Sequence, residues 1–576
     1  MPYATKFKER SPQDTINILN KFFTDRGFTL NITSFVSESG THSCEIEMYY
    51  DNHYVGHSAG KGINYDFCLA SGLAEMYEDF CNYGLIKNYL NYNTIINTNK
   101  VNHDYYLDKN EKLITPEYIM NFPVFKETYS PMGKTEEQQY KVLDSICYHK
   151  MYGVPYKNAL NNEIEYFNPL ISITAERSNG MSAGNSYTEA FNQGFAEIIE
   201  RLGIKTFYAH LENEYTYIPK EYLTNKSLVD IINQIESTNK KVYVLDLADL
   251  YDLPVVCVII LDLTLKRTSI RFGSFPVFDI ALERCLTEMY QGVRKLSYLN
   301  LNQAQQPYRI VDPNMFSIGN WMWNRNSSYC LDEALFNRLK AKTEINPIYL
   351  KDSSTNEEIS MFWKNLIQKR KWKVYVRDNS IIQEMTALHI ILTDYSIVGS
   401  TTLSPNQMRL INWDRLLDAA ENAFKLVSSY HSQIISGHDY YKWFNTYRLN
   451  EIELSMFKWL YSGDPTIPFW GEGVFTFDQK ELNSIMTNSV ISPEKINNFE
   501  YQNLLKYHLI SKYSNSRKYN EQEIMQFLNL FGVNFTQEDL HNYYNNTYLI
   551  EKIYIIPVVE YIHSKQYKNF IQLFAR

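Results

Sequence analysis

The sequence predicts a mixed α/β body followed by a mostly helical C-terminal region. Strand-like and helix-like segments alternate through roughly the first 400 residues, and such alternation is typical of mixed α/β folds. A turn-rich stretch at residues 399–406 then precedes a region whose apolar residues recur at helical spacing. We therefore expect an α/β body over residues 1–400 and a helical region over residues 401–576.

Local periodicity predicts the individual elements. Residues 42–50 alternate with period two, which indicates a strand, and residues 12–27 show the spacing of an amphipathic helix. Further strands are predicted at 171–174, 241–246, 255–261, 372–376 and 388–392. Helices are predicted at 66–81, over the stretch that carries Glu189 to Leu202, and at 277–296, 413–428, 449–461, 496–511, 521–530 and 537–543. The C-terminal helices show no clean repeat period, so we expect helical pairs that are at most repeat-like.

The bulk composition excludes several classes of protein. The formal net charge is −9, which argues against a direct nucleic-acid binder because such proteins carry basic patches. The seven cysteines form no CxxC pair and indicate free thiols in a reducing compartment. The N-terminus lacks the apolar segment of a signal peptide, and no apolar run reaches the ~18 residues that a membrane helix needs. We therefore expect a cytoplasmic protein that is not membrane-embedded.

The most informative segment, residues 178–202, joins a predicted Gly-rich turn to a helix with an acidic stripe. At about 100° per residue, one face of this helix is polar and the other is apolar. The polar set is Glu189, Gln193, Glu197 and Glu200, and the apolar set is Phe191, Phe195, Ile198, Ile199 and Leu202. Stacked carboxylates repel one another, and within this helix only Arg201, at the edge of the stripe, relieves them.

Two interpretations of the stripe are open at this point. It is either a solvated helix face or a site where a bound cation relieves the repulsion. Mg²⁺ prefers carboxylate oxygens and usually arrives with phosphates. A helix N-terminus after a Gly-rich turn also offers N–H groups to an anion. The second interpretation therefore places a metal site beside a phosphate site.

Two further segments repeat the pattern. The run Gly-Lys-Gly at residues 60–62 predicts another Gly-rich turn, and the helix after it places Glu75 and Glu78 on one face. The predicted helix at 277–296 carries Glu283, Arg284, Glu288 and Gln291. Arg284 and Glu288 are four residues apart, so a simple ion pair within the helix is the alternative interpretation of this third segment.

These three segments resemble the YcaO family. The resembling stretches are Gly60–Glu78, Ser178–Arg201 and Phe272–Gly292, in the family's order and spacing. The resemblance covers residues 1–300 and extends to about residue 400. It implies a YcaO-type body that binds ATP and Mg²⁺ without a Walker loop. The chain agrees, because residues 56–62 are one residue short of a P-loop and have Gly62 where a P-loop needs Ser or Thr.

The resemblance also implies which residues form the site. The implied metal ligands are Glu75, Glu189, Glu197, Glu200 and Glu288. The implied nucleotide contacts are Lys8, Thr15, Glu78, Ser182, Asn185, Arg201 and Arg284. No catalytic base is implied, because in this family the attacking group often belongs to the substrate or to a partner. The family often has Arg directly after the second Glu of the first acidic helix, whereas this chain has Asp79.

The implied chemistry is activation of a peptide or protein amide by phosphorylation of its oxygen. One branch of the family is linked, as an accessory factor, to β-methylthiolation of a small-subunit ribosomal protein, so that protein and its methylthiotransferase are the expected partners. The alternatives are azoline, thioamide or amidine formation in a ribosomally made peptide, and a non-catalytic ATP-binding scaffold. The C-terminus, Gln572–Arg576, lacks the Pro-rich tail of azoline-forming members, which counts against azolines. Family tendency favours a homodimer.

Overall fold

Three β-sheets, with helices packed against them, make up most of the described part of the chain. The computed structural model describes residues 7–50, 53–97, 108–130, 132–147, 151–176, 178–210, 212–264, 267–289, 333–395 and 411–429, together with residues 446, 447, 449 and 453. None of the helices in these ranges is both long enough and apolar enough to cross a membrane.

The first sheet is a three-stranded antiparallel meander on which two helices pack. Its elements are α1 (Pro12–Thr24), β1 (Phe28–Glu38), β2 (Thr41–Tyr50), β3 (His53–Gly62) and α2 (Tyr65–Asn97). Phe22 and Phe23 of α1 pack edge-on against Phe80 of α2, with ring centroids 5.4 and 5.9 Å apart. Aromatic pairs in this geometry are favourable, and this packing positions the part of α2 that carries Glu75 and Glu78.

The middle of the chain alternates short strands with helices. Its elements are β4 (Lys112–Leu113), α3 (Pro116–Met120), α4 (Pro123–Tyr129), α5 (Glu136–Ile146), β5 (Tyr152–Asn158), β6 (Ile164–Phe167), α6 (Pro169–Glu176), β7 (Met181–Gly184) and α7 (Tyr187–Ala209).

The remaining elements complete the two larger sheets. They are β8 (Thr216–Ile218), α8 (Lys226–Glu236), β9 (Lys240–Asp246), α9 (Ala248–Tyr251), β10 (Val255–Asp262), β11 (Arg267–Ser274), α10 (Phe278–Glu288), α11 (Glu333–Arg338), β12 (Lys340–Ala341), α12 (Asn356–Arg370), β13 (Val374–Asp378), β14 (Thr386–Leu392) and α13 (Trp413–Ser429). A single 3-10 turn lies at Lys220–Tyr222.

Helix α7 lies between the two larger sheets. One sheet has the order β11-β10-β9-β8-β12, and the other has the order β4-β5-β13-β14-β7, with β6 beside β5. β7 is the end strand of its sheet and pairs antiparallel with β14, Gly184 opposite Thr386. α7 follows β7 directly and packs against β7, β14 and β11, while α10 packs against β10 and β11. These contacts fix the acidic helices α7 and α10 on the two larger sheets.

The mixed α/β body is confirmed, and most predicted elements occur with shifted ends. The predicted strand at 372–376 is β13 (Val374–Asp378), and the predicted helix at 66–81 extends to Asn97. The first predicted C-terminal helix is α13. The boundary predicted at 399–406, the helix predicted at 449–461 apart from residues 449 and 453, all the later helices and the end of the helix predicted at 277–296 lie outside the described residues.

The strand predicted at 171–174 is wrong, because these residues lie in helix α6. Asn168 Oδ1 accepts the backbone N–H groups of Leu170 and Ile171, both at 3.0 Å. Pro169 occupies the first helical position, where its missing N–H has no helical partner to lose. This helix start outweighs the β propensity of the isoleucine residues.

The two predicted Gly-rich turns are also wrong in large part. Gly60 and Gly62 form the end of β3, where a Cβ atom on Gly60 would lie 2.7 Å from the backbone N of Gly72 in α2. Residues 181–184 form β7, so only residues 178–180 make a turn, and the last of them has a φ of +79°. Most of these glycines therefore allow strands and helices to approach closely.

Candidate active site

A cavity of about 490 Å³ lies where the segment ahead of α1, the end of β3, α2, α7 and α10 meet. It brings together residues that are distant in sequence, from Lys8 to Glu288. Eleven of the twelve site residues predicted from the sequence line it, and they are Lys8, Thr15, Glu75, Glu78, Asn185, Glu189, Glu197, Glu200, Arg201, Arg284 and Glu288. The structure therefore places the predicted metal and nucleotide residues around one space.

Ser182, the twelfth predicted residue, does not line this cavity. Its side chain is buried in β7 beneath Gly194 of α7. Its Oγ has no hydrogen-bond partner among the residues that the structure describes. Nucleotide contact by Ser182 stays a prediction.

Helix α7 turns its polar face to the cavity and its apolar face to the core, as the periodicity predicts. Ser186 begins the helix, and its Oγ accepts the backbone N–H of Glu189 at 3.2 Å, which satisfies one free donor of the first turn. On the apolar face of α7, the buried residues are Phe191, Phe195, Ile198 and Ile199. Their burial fixes the rotation of the helix, so the carboxylates cannot turn away from the cavity.

At one end of the cavity, Glu189 is surrounded by donors. Lys8 Nζ lies 2.9 Å from its Oε1, Asn185 Nδ2 donates to both of its oxygens at 3.1 and 3.2 Å, and the backbone N–H of Glu9 donates at 3.2 Å. Burial opposes ionisation of Glu189, but these donors outweigh burial and hold its pKa below the ordinary value. Thr15 Oγ1 also donates to Asn185 Oδ1 at 2.9 Å. Four predicted residues therefore form one network.

At the other end, cations from three elements face the acidic stripe. The contacts are Lys61 with Glu288, Arg201 Nη2 with Glu197 Oε1 at 3.5 Å, and Arg284 Nη1 with Gln193 Oε1 at 3.0 Å. Arg284 thus reaches from α10 to α7, and Glu288 is paired by a residue of β3. The sequence predicts Lys61 only as part of a turn, because spacing along one helix does not show which strand will supply a counter-charge.

Two carboxylates of the cavity are costly to ionise. Burial, and next the charge of Asp79, raises the pKa of Glu78 well above its usual range. Burial also raises the pKa of Glu197, and Glu200 adds to this rise although Arg201 opposes it. A bound cation lowers such a cost, and carboxylate oxygens are the ligands that Mg²⁺ prefers. The carboxylate chemistry of this cavity therefore suits a magnesium ion.

The carboxylates are not already gathered into a metal-binding group. Within the described ranges, no three His, Cys, Asp or Glu side chains lie close enough together to hold a metal ion. Side-chain cations such as Lys61 and Arg201 contact them instead. The metal roles of Glu75, Glu189, Glu197, Glu200 and Glu288 stay predictions.

Several cavity residues fall outside the predicted set. Glu283 lines the cavity, and burial, reinforced by the charge of Asp279, raises its pKa to about 7. Asn192 and Asn356 also line it, and Asn192 Nδ2 donates to the Asn356 carbonyl oxygen at 3.0 Å. The sequence signal for Glu283 is its place beside Arg284 in an acidic helix. The sequence gives no such signal for the two asparagines, because the packing of α12 on α7 brings together residues that are far apart in the chain.

A comparison with protein families matches the part of the chain that builds this cavity. Residues 59–391 match the YcaO cyclodehydratase family, which is described as ATP- and Mg²⁺-binding. The match spans more than half of the chain and includes α2, α7 and α10. The chain therefore belongs to the YcaO family, as the resemblance implied.

Two curated relatives and one solved structure are similar to this chain. An uncharacterised protein of Haemophilus influenzae is 28% identical over 249 residues, which are 41% of this chain and 40% of that protein. The ribosomal protein S12 methylthiotransferase accessory factor YcaO of Escherichia coli is 25% identical over 294 residues, 50% of this chain and 49% of that protein. The chain thus spans less than half the length of each relative. A heterocyclase solved in complex with substrate and cofactor has a TM-score of 0.46 and 15% identity, covering 70% of this chain and 55% of that chain.

Proposed function

We propose that this protein is an ATP- and Mg²⁺-dependent enzyme that activates a backbone amide of a peptide or protein by phosphorylating it. The observation that carries the proposal is the single cavity into which α2, α7 and α10 direct carboxylates and cations. The description of the family as ATP- and Mg²⁺-binding supports the same ligands. Carboxylates that can bind a metal ion, together with side-chain cations, suit a nucleotide whose phosphates are held through that metal ion.

The proposal assigns a role to each predicted residue. The metal ligands are Glu75, Glu189, Glu197, Glu200 and Glu288, and the nucleotide contacts are Lys8, Thr15, Glu78, Ser182, Asn185, Arg201 and Arg284. When bound, Mg²⁺ neutralises charge on the phosphates. Arg201 and Arg284 then stabilise the charge that develops on the transferred phosphoryl group, since guanidinium groups aimed at phosphate oxygens make strong hydrogen bonds.

The proposed reaction turns a poor leaving group into a good one. The bond between the terminal phosphorus of ATP and its bridging oxygen breaks, the amide oxygen bonds to that phosphorus, and ADP leaves. A nucleophile of the substrate or of a partner adds to the amide carbon and loses its proton to solvent. Cleavage of the carbon–oxygen bond then releases phosphate. The protein contributes positioning and charge neutralisation, which suffice for large accelerations in phosphoryl transfer.

For the biological role, we propose an accessory function in β-methylthiolation of a ribosomal protein. The support is the similarity to the Escherichia coli accessory factor over half of this chain. The proposed partners are a small-subunit ribosomal protein and its methylthiotransferase, and the protein would act in the cytoplasm as a homodimer. The alternatives are azoline, thioamide or amidine formation in a ribosomally made peptide, and a non-catalytic ATP-binding scaffold.

The first test is ATP turnover by the purified protein with Mg²⁺, following ADP, AMP, phosphate and pyrophosphate together. We expect slow release of ADP and phosphate that Glu200→Gln abolishes, and AMP with pyrophosphate would overturn the phosphorylation step. Glu212→Gln is the matched control, because the Glu212 side chain is 74% exposed and lies outside the cavity.

A binding measurement separates the enzyme from the scaffold. Glu197→Gln and Glu200→Gln are each expected to lose Mg²⁺-dependent ATP binding without unfolding, because the polar face of α7 does not pack in the core. Unchanged ATP affinity in both variants would contradict the metal assignment. Tight Mg²⁺-dependent binding without turnover, even with the ribosomal protein and methylthiotransferase added, would favour the scaffold.

A further inference from the structure

Lys61 is held in the cavity by the strand that carries it. It is the next-to-last residue of β3 and stands opposite Ser43 of β2. Its neighbours Gly60 and Gly62 lie against α2, and a Cβ atom on Gly62 would lie 2.7 Å from the backbone N of Cys68. Because strand and helix are in such close contact, the backbone of Lys61 cannot withdraw from the cavity.

Lys61 lines the same cavity as the five predicted metal ligands. It pairs directly with Glu288 of α10. Burial lowers the pKa of Lys61 to about 8, and the negative charges of Glu200, Glu75 and Glu197 oppose this change. The acidic cluster of α2, α7 and α10 therefore contains, besides the arginines of α7 and α10, an ammonium group supplied by a fourth element, β3.

We propose that Lys61 is an exchangeable counter-ion: it neutralises the acidic cluster in the nucleotide-free protein and moves from Glu288 to the nucleotide phosphates when Mg²⁺ enters. This inference rests on the proposed function, which supplies the metal and the triphosphate. An ammonium group and Mg²⁺ repel each other at contact distance in a partly buried site, so the metal has to displace Lys61 from Glu288. Phosphate oxygens then offer the displaced ammonium a new anionic partner.

Exchange of this kind couples the two ligands. Mg²⁺ alone has to force the ammonium away from its carboxylate without providing a new partner for it. With a nucleotide present, the same displacement creates a new ion pair with phosphate. The affinity of each ligand should therefore rise in the presence of the other by the same factor, as thermodynamic linkage requires. Without the lysine, Mg²⁺ no longer has to displace an ammonium group from Glu288, and that part of the coupling is lost.

The test is calorimetric titration of Mg²⁺ into the full chain, with and without the non-hydrolysable analogue AMPPCP. The variants are Lys61→Met, which removes the charge but keeps an unbranched side chain, and Lys61→Arg, which keeps the charge. Lys205→Met is the matched control, because Lys205 is a partly exposed lysine of α7 that pairs with Glu127 at 3.6 Å and does not line the cavity. Circular dichroism establishes that each variant is folded.

We expect Lys61→Met to bind Mg²⁺ about tenfold or more tightly than the wild type without nucleotide, and to show a much smaller gain on adding AMPPCP. Lys61→Arg and Lys205→Met should behave like the wild type. Unchanged or weaker Mg²⁺ affinity in folded Lys61→Met would overturn the exchange. Absence of Mg²⁺-dependent AMPPCP binding in the wild type would instead overturn the proposed function.

A second measurement uses the wild type alone and does not depend on the folding of a variant. Acylation of Lys61 by acetic anhydride is followed by mass spectrometry during a Mg²⁺ titration. Saturating Mg²⁺ should speed up the labelling of Lys61, because an amine released from its carboxylate partner is accessible to the reagent, and addition of AMPPCP should slow it again. A labelling rate that does not respond to Mg²⁺ would contradict displacement.

Discussion

Lys8 Nζ lies 2.9 Å from Glu189 Oε1, and this contact joins the segment ahead of α1 to the first turn of α7. Glu189 is 5% exposed, whereas Lys8 is 38% exposed. A nearly buried carboxylate thus obtains its counter-charge from a residue at the surface of another part of the chain. The contact closes one end of the cavity and ties the N-terminal helix to the acidic stripe.

Lys8→Met should lower the free energy of unfolding at pH 7 by about 1–2 kcal/mol, because it leaves the buried Glu189 carboxylate without its cation. The pKa of Glu189 is lowered in the folded protein, so the stabilisation is present above the unfolded pKa and disappears as the pH falls through the folded pKa. Urea unfolding at a series of pH values measures this difference, which should shrink below about pH 4.5.

The matched control for this substitution is Lys141→Met. Lys141 also lies 2.9 Å from a carboxylate, that of Glu137, but both side chains are more than half exposed. Exposed pairs contribute little to stability because water and salt screen them, so this variant should unfold almost like the wild type. Equal losses in both variants would contradict the special role of the buried Glu189.

Gly60→Ala should lower the free energy of unfolding by about 2–4 kcal/mol, because the new methyl group collides with the backbone of α2. The Cβ atom would lie 2.7 Å from Gly72 N, and a backbone atom cannot rotate away. Gly56→Ala is the control on the same strand, since among the described residues its Cβ would meet only Met48 Cε, at 3.9 Å. Urea unfolding measures the free energy of unfolding of both variants. Similar losses in the two variants would show that contact with α2 is not what requires glycine at position 60.

Glu283→Gln should stabilise the protein at pH 8 by about 2 kcal/mol and leave it unchanged near pH 4.5. The pKa of Glu283 is raised to about 7 by burial. Its contribution is therefore fully present below the unfolded pKa and is lost as the pH rises through 7, whereas glutamine never ionises. Thermal unfolding at the two pH values, without nucleotide, checks this. Glu212→Gln should show no pH-dependent gain, and a variant less stable than wild type at pH 8 would refute the prediction.

Asp79→Asn should strengthen binding of Mg²⁺ with AMPPCP about threefold or more at neutral pH, because it removes a negative charge from a cavity that has to receive a triphosphate. Asp79 is also, after burial, the largest cause of the raised pKa of Glu78, so the change favours the ionised form of that carboxylate. Asp66→Asn, on an exposed residue of the same helix, is the control. Weaker binding by Asp79→Asn would mean that Asp79 itself holds a metal ion.

Features that depend on neighbours along the chain could be predicted from the sequence. The two faces of α7 follow from spacing over a few turns, and burial of the face that carries Phe195 confirms them. The strand at Val255–Asp262 also follows from an unbroken apolar run, because such runs are typical of strands covered on both sides. The family resemblance named twelve site residues, and eleven of them line one cavity in the structure. It gave no contact between them.

Features that depend on distant residues could not be predicted. The pairing of Lys61 with Glu288 requires the relative placement of β3 and α10, which no local period encodes. The glycines of β3 look like turn residues because close contact with α2 and chain reversal both favour the smallest side chain. Residues 171–174 look like a strand because a single side chain, that of Asn168, begins a helix before them.

The position of β7 at the end of its sheet has a consequence for how the molecule is made. Its neighbour β14 lies far downstream, with Met181 opposite His389. At the usual pace of translation, the ribosome delivers β14 about ten to forty seconds after β7 and α7. During that interval the nascent chain presents the apolar face of α7 without one of the strands that cover it. Completion of the candidate site therefore waits for late synthesis, because α7 is not fully covered until β14 has been made.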